Sequence, residues 1–139
     1  MTSVSHATPS APARPGLARV LRVVSSLIVL SVLVQAVFAG RGLFLGTDNL
    51  TIHGGIGTLT LLLAAVQAAL VLFAGFRGPT RAVLVTASLA LLLLVVVQLG
   101  LGYSGRDGGQ AAAWHVPNGV LIFGLAAAIT ASLNRTNGS

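Results

Sequence analysis

The chain has 139 residues, of which 55% are hydrophobic and only 7% are charged, with eight arginines and two aspartates. Ten charged residues are too few to cover the surface of a soluble domain of this size. An ordinary soluble globular protein is therefore excluded. The absence of cysteine excludes disulfides, iron–sulfur clusters and thiolate metal sites. The net charge of +6 comes from arginines scattered singly or in pairs, a pattern that favours membrane orientation over nucleic-acid binding.

The chain divides into a short tail and four apolar segments. Residues 1–16 are rich in Pro, Ser, Ala and Thr and are predicted to form a disordered N-terminal tail, and residues 136–139 a C-terminal tail. Residues 17–135 form one domain, whose apolar segments lie at about 20–40, 52–75, 82–102 and 114–133. Each is close to the ~20 residues that a helix needs to span the hydrocarbon core. Because the segments do not alternate polar with apolar residues, we predict an all-α integral membrane four-helix bundle.

The first apolar segment has two interpretations. It follows a basic stretch and ends in "VFAG", where Val37 and Ala39 match the pattern that a signal peptidase accepts. The apolar run is long for a cleaved leader, however, and the segment has a counterpart later in the chain. We therefore expect this helix to be retained, with cleavage as the alternative.

The arginines predict how the bundle is oriented. Six of them precede the first helix, fall in the second loop or follow the last helix: Arg14, Arg19, Arg22, Arg77, Arg81 and Arg135. The first and third loops carry one arginine each, Arg41 and Arg106. The positive-inside rule therefore places both termini in the cytoplasm of a multi-pass plasma-membrane protein, with Tyr103 and Trp114 at the outer boundary.

The two halves of the chain resemble each other. The segment "VLVQAVFAG" overlies "VVVQLGLGY", so that Gln35 matches Gln98. The segment "TIHGGIGTLTLLLAAVQAA" overlies "AWHVPNGVLIFGLAAAITA", so that His53 matches His115. A duplicated two-helix hairpin returns to its starting side, so its copies would be related by an axis along the membrane normal.

The matched histidines are the strongest functional signal. The repeat predicts that His53 and His115 lie at equal depth near the outer face and approach each other across the bundle, as the axial ligands of a haem do. Gly57 and Gly119 follow four residues later on the same helical faces, where they would leave room for a porphyrin ring. We therefore predict a haem b site, with both histidines binding the iron. The alternative is that the histidines are interfacial polar residues and the glycines ordinary packing positions.

Further polar residues lie near this predicted site. Gln35 and Gln98 would orient the ligating imidazoles, bind the edge of the macrocycle or, as we favour, join helices by hydrogen bonds. Arg41 and Arg106 are candidates to neutralise the haem propionates, with pairing to nearby aspartates or plain solvation as the alternative. Pro117 is expected within or near the first turn of the fourth helix, where its missing N–H costs little.

With this pattern in place, the chain resembles small bacterial four-helix membrane proteins of uncharacterised function and b-type cytochrome membrane bundles. It also looks like one half of heme A synthase, whose halves are four-helix bundles with a histidine near the outer ends of the second and fourth helices. The resemblance covers residues 20–133 and implies that His53 and His115 ligate a haem facing the outer side. Leu50 and Gly54 stand where that family has glutamate and arginine, and its extracytoplasmic cysteines and second bundle are missing. These departures argue against its oxidative activity.

Three functions remain open from the sequence. The first is a b-type haem-binding protein for electron transfer or haem handling. A single haem on the outer side could not carry electrons across the ~30 Å of hydrocarbon by itself. Its electron partner would be a quinol or an external redox protein, and the chain is not expected to be an enzyme by itself. The second is a cofactor-free accessory or scaffold subunit of a larger membrane complex or homo-oligomer. A small-molecule transporter is the third, disfavoured because the sequence shows no broken helices and no charges within the membrane.

Overall fold

The computed structural model describes residues 14–46 and 48–135, which form four long helices. They are α1 (Pro15–Leu45), α2 (Asp48–Phe73), α3 (Gly78–Ser104) and α4 (Gly109–Arg135). All four are long and apolar enough to cross a membrane. The all-α four-helix prediction is therefore confirmed, and the chain is a multi-pass membrane protein. Most of the predicted N-terminal tail and the whole C-terminal tail lie outside the described residues.

The helices pack as a closed ring. Each helix contacts the next along the chain and α1 also packs against α4, so α1 and α3, like α2 and α4, are diagonal neighbours. The centre is filled by residues such as Ile28, Ala64, Leu91 and Ala126, which are inaccessible to solvent. Large apolar side chains cover the outside, as expected for a surface that contacts lipid acyl chains. We call the end that carries Arg14, Arg77 and Arg135 the arginine-rich end and the opposite one the histidine end.

The helices are longer at the histidine end than the sequence predicts. α1 continues through Gly40 and Gly42 to Leu45, so Arg41 lies in a helix and the prediction of a loop there was wrong. Gly42 lies directly against the side chain of Leu50, so it serves close packing of α1 on α2. In water, a helix can end at a glycine because water forms hydrogen bonds with the backbone groups that are left free. Near hydrocarbon no such partner exists, so the backbone keeps its hydrogen bonds within the helix and the helix continues.

Pro117 is also placed differently from the prediction. α4 begins at Gly109, which has a positive φ of 82°, so Pro117 lies inside the helix and not in its first turn. The proline removes one N–H from the helical ladder two residues after His115. Transmembrane helices tolerate such a gap because neighbouring side chains and helices can satisfy the freed carbonyl.

The turn between α3 and α4 depends on Gly105. Its N–H donates to the Leu101 carbonyl at 2.8 Å, and an added Cβ would lie 2.8 Å from both that oxygen and the Ala112 backbone nitrogen. Because these are backbone atoms, we expect Gly105→Ala to lower the free energy of unfolding by about 1–3 kcal/mol. Gly100→Ala is the control, since a Cβ at that position meets no atom within 4 Å. Titration with a denaturing detergent measures the free energy of unfolding of both variants. Equal stability of the two variants would contradict the expectation.

Candidate functional site

The structure brings the two predicted histidines together. His53 projects from the second turn of α2 and His115 from the second turn of α4, and both side chains are half-buried. Their ring centroids are 5.9 Å apart, with an interplanar angle of 64°. The helices that carry them are diagonal partners, so the two rings approach each other across the interior of the bundle.

The backbone of α1 sets the proton position on His53. Its Nδ1 lies 3.0 Å from the backbone carbonyl oxygen of Gln35. Because a carbonyl oxygen only accepts hydrogen bonds, Nδ1 is the donor and Nε2 is left with a free lone pair in the neutral ring. His53 is therefore held in the tautomer whose Nε2 can bind a metal.

The surroundings of His115 are related but less complete. Its Nδ1 is buried without a hydrogen bond of good geometry among the described residues, although it is close enough to the Gln98 backbone to interact with it electrostatically. Gln98 occupies the position on α3 that Gln35 occupies on α1. A buried ring nitrogen without a full partner is uncommon, and such atoms often mark functional positions.

Gly102 supports His115 from α3, and the sequence reasoning missed it. An added Cβ would lie 3.1 Å from Cε1 and 3.5 Å from Nδ1 of His115, closer than the ring could accept without moving. The signal was present, because a glycine inside an otherwise apolar helix usually has a packing reason. What the sequence does not show is which neighbour approaches it.

The two predicted glycines face the glutamine side chains. A Cβ on Gly57 would lie 3.5 Å from Oε1 of Gln35, and one on Gly119 would lie 3.2 Å from Nε2 of Gln98. Gly119 thus leaves room for the Gln98 amide to cross to α4, whereas a Cβ at residue 57 would make an ordinary van der Waals contact with Gln35. Both glycines also line the cavity described below.

Both glutamines join helices by hydrogen bonds, the role that we favoured for them. Gln35 donates through Nε2 to Oγ1 of Thr60 at 2.7 Å, which links α1 to α2. Asn118 donates through Nδ2 to Oε1 of Gln98 at 2.7 Å and to the Leu94 carbonyl at 3.0 Å, which links α4 to α3. Thr60 and Asn118 were missed, although they lie seven and three residues after the histidines, on the same helical faces.

A cavity of about 440 Å³ adjoins the histidine rings. Its volume is within the range of about 300–1,000 Å³ that is typical of sites for organic ligands. The walls are mostly apolar and come mainly from α1 and α4, where the exposed side chains of Leu33, Val116 and Val120 form the lipid-facing rim. A flat apolar molecule could therefore reach the histidines from between these two helices.

The two predicted arginines lie at the same end of the bundle. Arg41 is exposed near the end of α1. Arg106 lies in the turn between α3 and α4, with its guanidinium carbon 4.9 Å from the centroid of the Tyr103 ring. That contact is a cation–π interaction, an arrangement that the sequence reasoning did not consider.

The donor set limits what the site can bind. Among the described residues, no third His, Cys, Asp or Glu joins the pair to form a metal-binding group. A bare Zn²⁺ ion, which needs three or four protein ligands, would be poorly held. Two nitrogen donors suit a metal that brings its other ligands with it.

The fold and the site together define a four-span membrane bundle with a facing histidine pair beside an apolar cavity. Comparison with known proteins gives no match: no family model, characterised protein or solved structure is significantly similar to this chain. The likeness to heme A synthase therefore depends on the four-helix layout, the two histidines and the glycines that follow them.

Proposed function

We propose that this chain is a b-type haem-binding membrane protein that holds one haem through His53 and His115, for electron transfer or haem handling. The observation that carries the proposal is the 5.9 Å separation of the two imidazole rings. They come from diagonal helices, so a ligand between them would be held by the bundle as a whole. The rest of the site can be tested against this ligand residue by residue.

The ring separation fits a single metal ion between the imidazoles. Two metal–nitrogen bonds of ~2 Å, together with the near half of each ring, give a centroid separation of roughly 6 Å. The observed 5.9 Å agrees with this value. The interplanar angle of 64° is compatible as well, since each ring can rotate about its own metal–nitrogen bond.

The hydrogen bond of His53 also fits metal ligation. Metal-binding histidines generally donate their other ring N–H to a carbonyl or carboxylate, which fixes the tautomer and the ring orientation. The Gln35 carbonyl does this for His53, and the Gln98 backbone lies near enough to His115 to interact with its ring. The haem would supply reversible one-electron chemistry, while the protein supplies the ligands, an apolar surround and a fixed depth.

The environment suits the rest of such a ligand. The cavity beside the rings is apolar, as a porphyrin face requires, and opens between α1 and α4. Arg41 and Arg106 at this end are the candidates to neutralise the propionates, and Arg106 would exchange its Tyr103 contact for one of them. A quinol dissolved in the bilayer, or a redox protein at the outer face of the plasma membrane, would be the electron partner.

The proposal also includes a duplicated hairpin with both termini in the cytoplasm. The orientation is supported by the six arginines at the arginine-rich end, and the duplication by polar contacts at that end. Ser25 of α1 contacts Thr130 of α4 at 2.7 Å, and Gln67 of α2 donates to Ser88 of α3 at 3.4 Å. Ser25 and Ser88 are 63 residues apart, the same offset that separates Gln35 from Gln98. In the proposed repeat, a two-fold axis along the bundle would relate these contacts.

A cofactor-free scaffold subunit is the second candidate. The observation in its favour is that the two imidazoles already contact each other in an edge-on arrangement. The glutamine, threonine and asparagine hydrogen bonds likewise need no ligand to be satisfied. In this case the histidine pair would only fix how the helices pack.

An absorption spectrum distinguishes the two candidates. The full chain is purified in a mild detergent from haem-replete cells and measured as isolated and after reduction with dithionite. A Soret band with sharp α and β bands on reduction is expected for bis-histidine haem. A colourless protein that also fails to take up added hemin would overturn the haem proposal and leave the scaffold.

A further inference from the structure

A second cavity lies at the arginine-rich end, far from the histidines. It measures about 570 Å³ and is lined by residues from the start of α1, the end of α2 and the connection to α3. Those residues are Arg14, Leu72, Phe73, Gly75, Phe76, Arg77, Gly78 and Arg81. Three of the eight are arginines, so this cavity is strongly basic.

The fold holds the arginines around this cavity. Arg14 donates through Nη1 to the Phe73 carbonyl at the end of α2, at 3.2 Å. The connection to α3 turns sharply through Gly75 and Gly78, which have φ values of +81° and +55°, and Phe76 between them is buried. Arg77 lies in this turn, and Arg81 lies one helical turn further along the chain. Both line the same cavity as Arg14.

No acidic side chain balances this charge. Six of the eight arginines lie at this end, whereas the two aspartates of the sequence, Asp48 and Asp107, lie at the histidine end. Three guanidinium groups around one cavity repel each other unless an anion lies between them. At the N-terminus of α3, the side chain of Arg77 makes no capping hydrogen bond, so its guanidinium is not used to cap the helix.

We propose that this cavity binds the phosphate group of an anionic phospholipid. Arginine matches phosphate oxygens in a bidentate geometry, and basic pockets between transmembrane helices bind such headgroups. The cavity is also amphipathic, since the exposed apolar side chains of Leu72 and Phe73 line it beside the arginines and would contact the first part of the acyl chains. Free phosphate would use the arginines but not this apolar rim.

Lipid binding to paired variants tests the proposal. The purified full chain in neutral detergent is titrated with phosphatidylglycerol or phosphatidylcholine, and bound lipid is counted by native mass spectrometry. Each arginine near an anionic headgroup contributes about fivefold to affinity, so R77Q/R81Q should bind phosphatidylglycerol roughly 30-fold more weakly. The control is R19Q/R135Q, which removes the same charge from the same end, at two residues that do not line the cavity. It should retain nearly all of the wild-type affinity.

These measurements distinguish binding in the cavity from a general effect of positive charge. They also distinguish a phospholipid from free phosphate as the ligand. An equal loss in both double variants, or no loss in either, would overturn the cavity as the binding site. Inorganic phosphate that displaces phosphatidylglycerol and stabilises the chain equally well would overturn the lipid as the source of the phosphate. Because Arg77 and Arg81 are exposed, their substitution should not disturb the fold, and circular dichroism checks that the helix content is unchanged. None of these measurements involves haem, so this inference is independent of the proposed function.

Discussion

His53→Ala and His115→Ala are each expected to abolish the Soret and α/β bands of the purified protein. Partners that only orient a metal ligand already contribute about 10- to 100-fold to metal affinity, so losing a ligand should lower haem retention by more than ~100-fold. Either change alone suffices, because a two-ligand site has no third side chain to replace the lost nitrogen among the described residues. Haem content per protein, measured as the pyridine hemochrome, gives the result.

The third histidine of the chain provides the control. His6→Ala removes an imidazole from the N-terminal segment, outside the described residues, and should leave the spectrum unchanged. His53→Gln and His115→Gln, which keep much of the side-chain volume, separate loss of the ligand from loss of packing. Full retention of haem in both alanine variants would contradict ligation by this pair.

Gly102→Val is the second change with a large expected effect, because it acts on the position of His115. A Cβ at residue 102 already lies 3.1 Å from Cε1 of the ring, and the two further methyl groups of valine require the ring to move. Overpacking of this kind costs about 1–3 kcal/mol. If this free energy is required to bring the ring into place for binding, haem affinity falls roughly 5- to 150-fold. We expect a lowered haem content and an altered Soret position.

Gly100→Val is the matched control on the same helix. A Cβ at Gly100 meets no atom within 4 Å, so valine there should project into lipid without disturbing the site. The rate at which diethylpyrocarbonate modifies His115 in the haem-free protein gives a second readout of the position of the ring. Equal modification rates and equal haem contents in the two variants would show that Gly102 does not position the ring.

Length and composition were sufficient for the four spans. The rule that ~20 apolar residues cross a bilayer needs no knowledge of neighbouring helices, so the four helices were predicted in the right number and order. The ends of the helices were predicted less well, because Gly40, Gly42 and Pro117 were interpreted as marking helix ends, as they do in water. In lipid the backbone keeps its internal hydrogen bonds and the helices continue past these residues.

The candidate site divides in the same way. The two histidines and two glutamines could be found because polar residues are rare in these segments and recur in both halves. Gly102, Thr60 and Asn118 were missed because their importance depends on which residue faces them from another helix. In a soluble helix an apolar stripe identifies the buried face, but lipid is as apolar as the interior of this bundle, so hydrophobicity does not distinguish the two.

The amino-acid sequence alone determined that this protein is a four-span membrane bundle with paired histidines near one end and most of its arginines at the other. Only the tertiary structure decided that the histidine rings meet, that the Gln35 carbonyl holds His53 in one tautomer, and that Arg14 joins Arg77 and Arg81 around a cavity. The physical reason is that partition into lipid depends on summed side-chain hydrophobicity along one segment. Contacts between segments depend instead on the rotation and close packing of each helix against its neighbours.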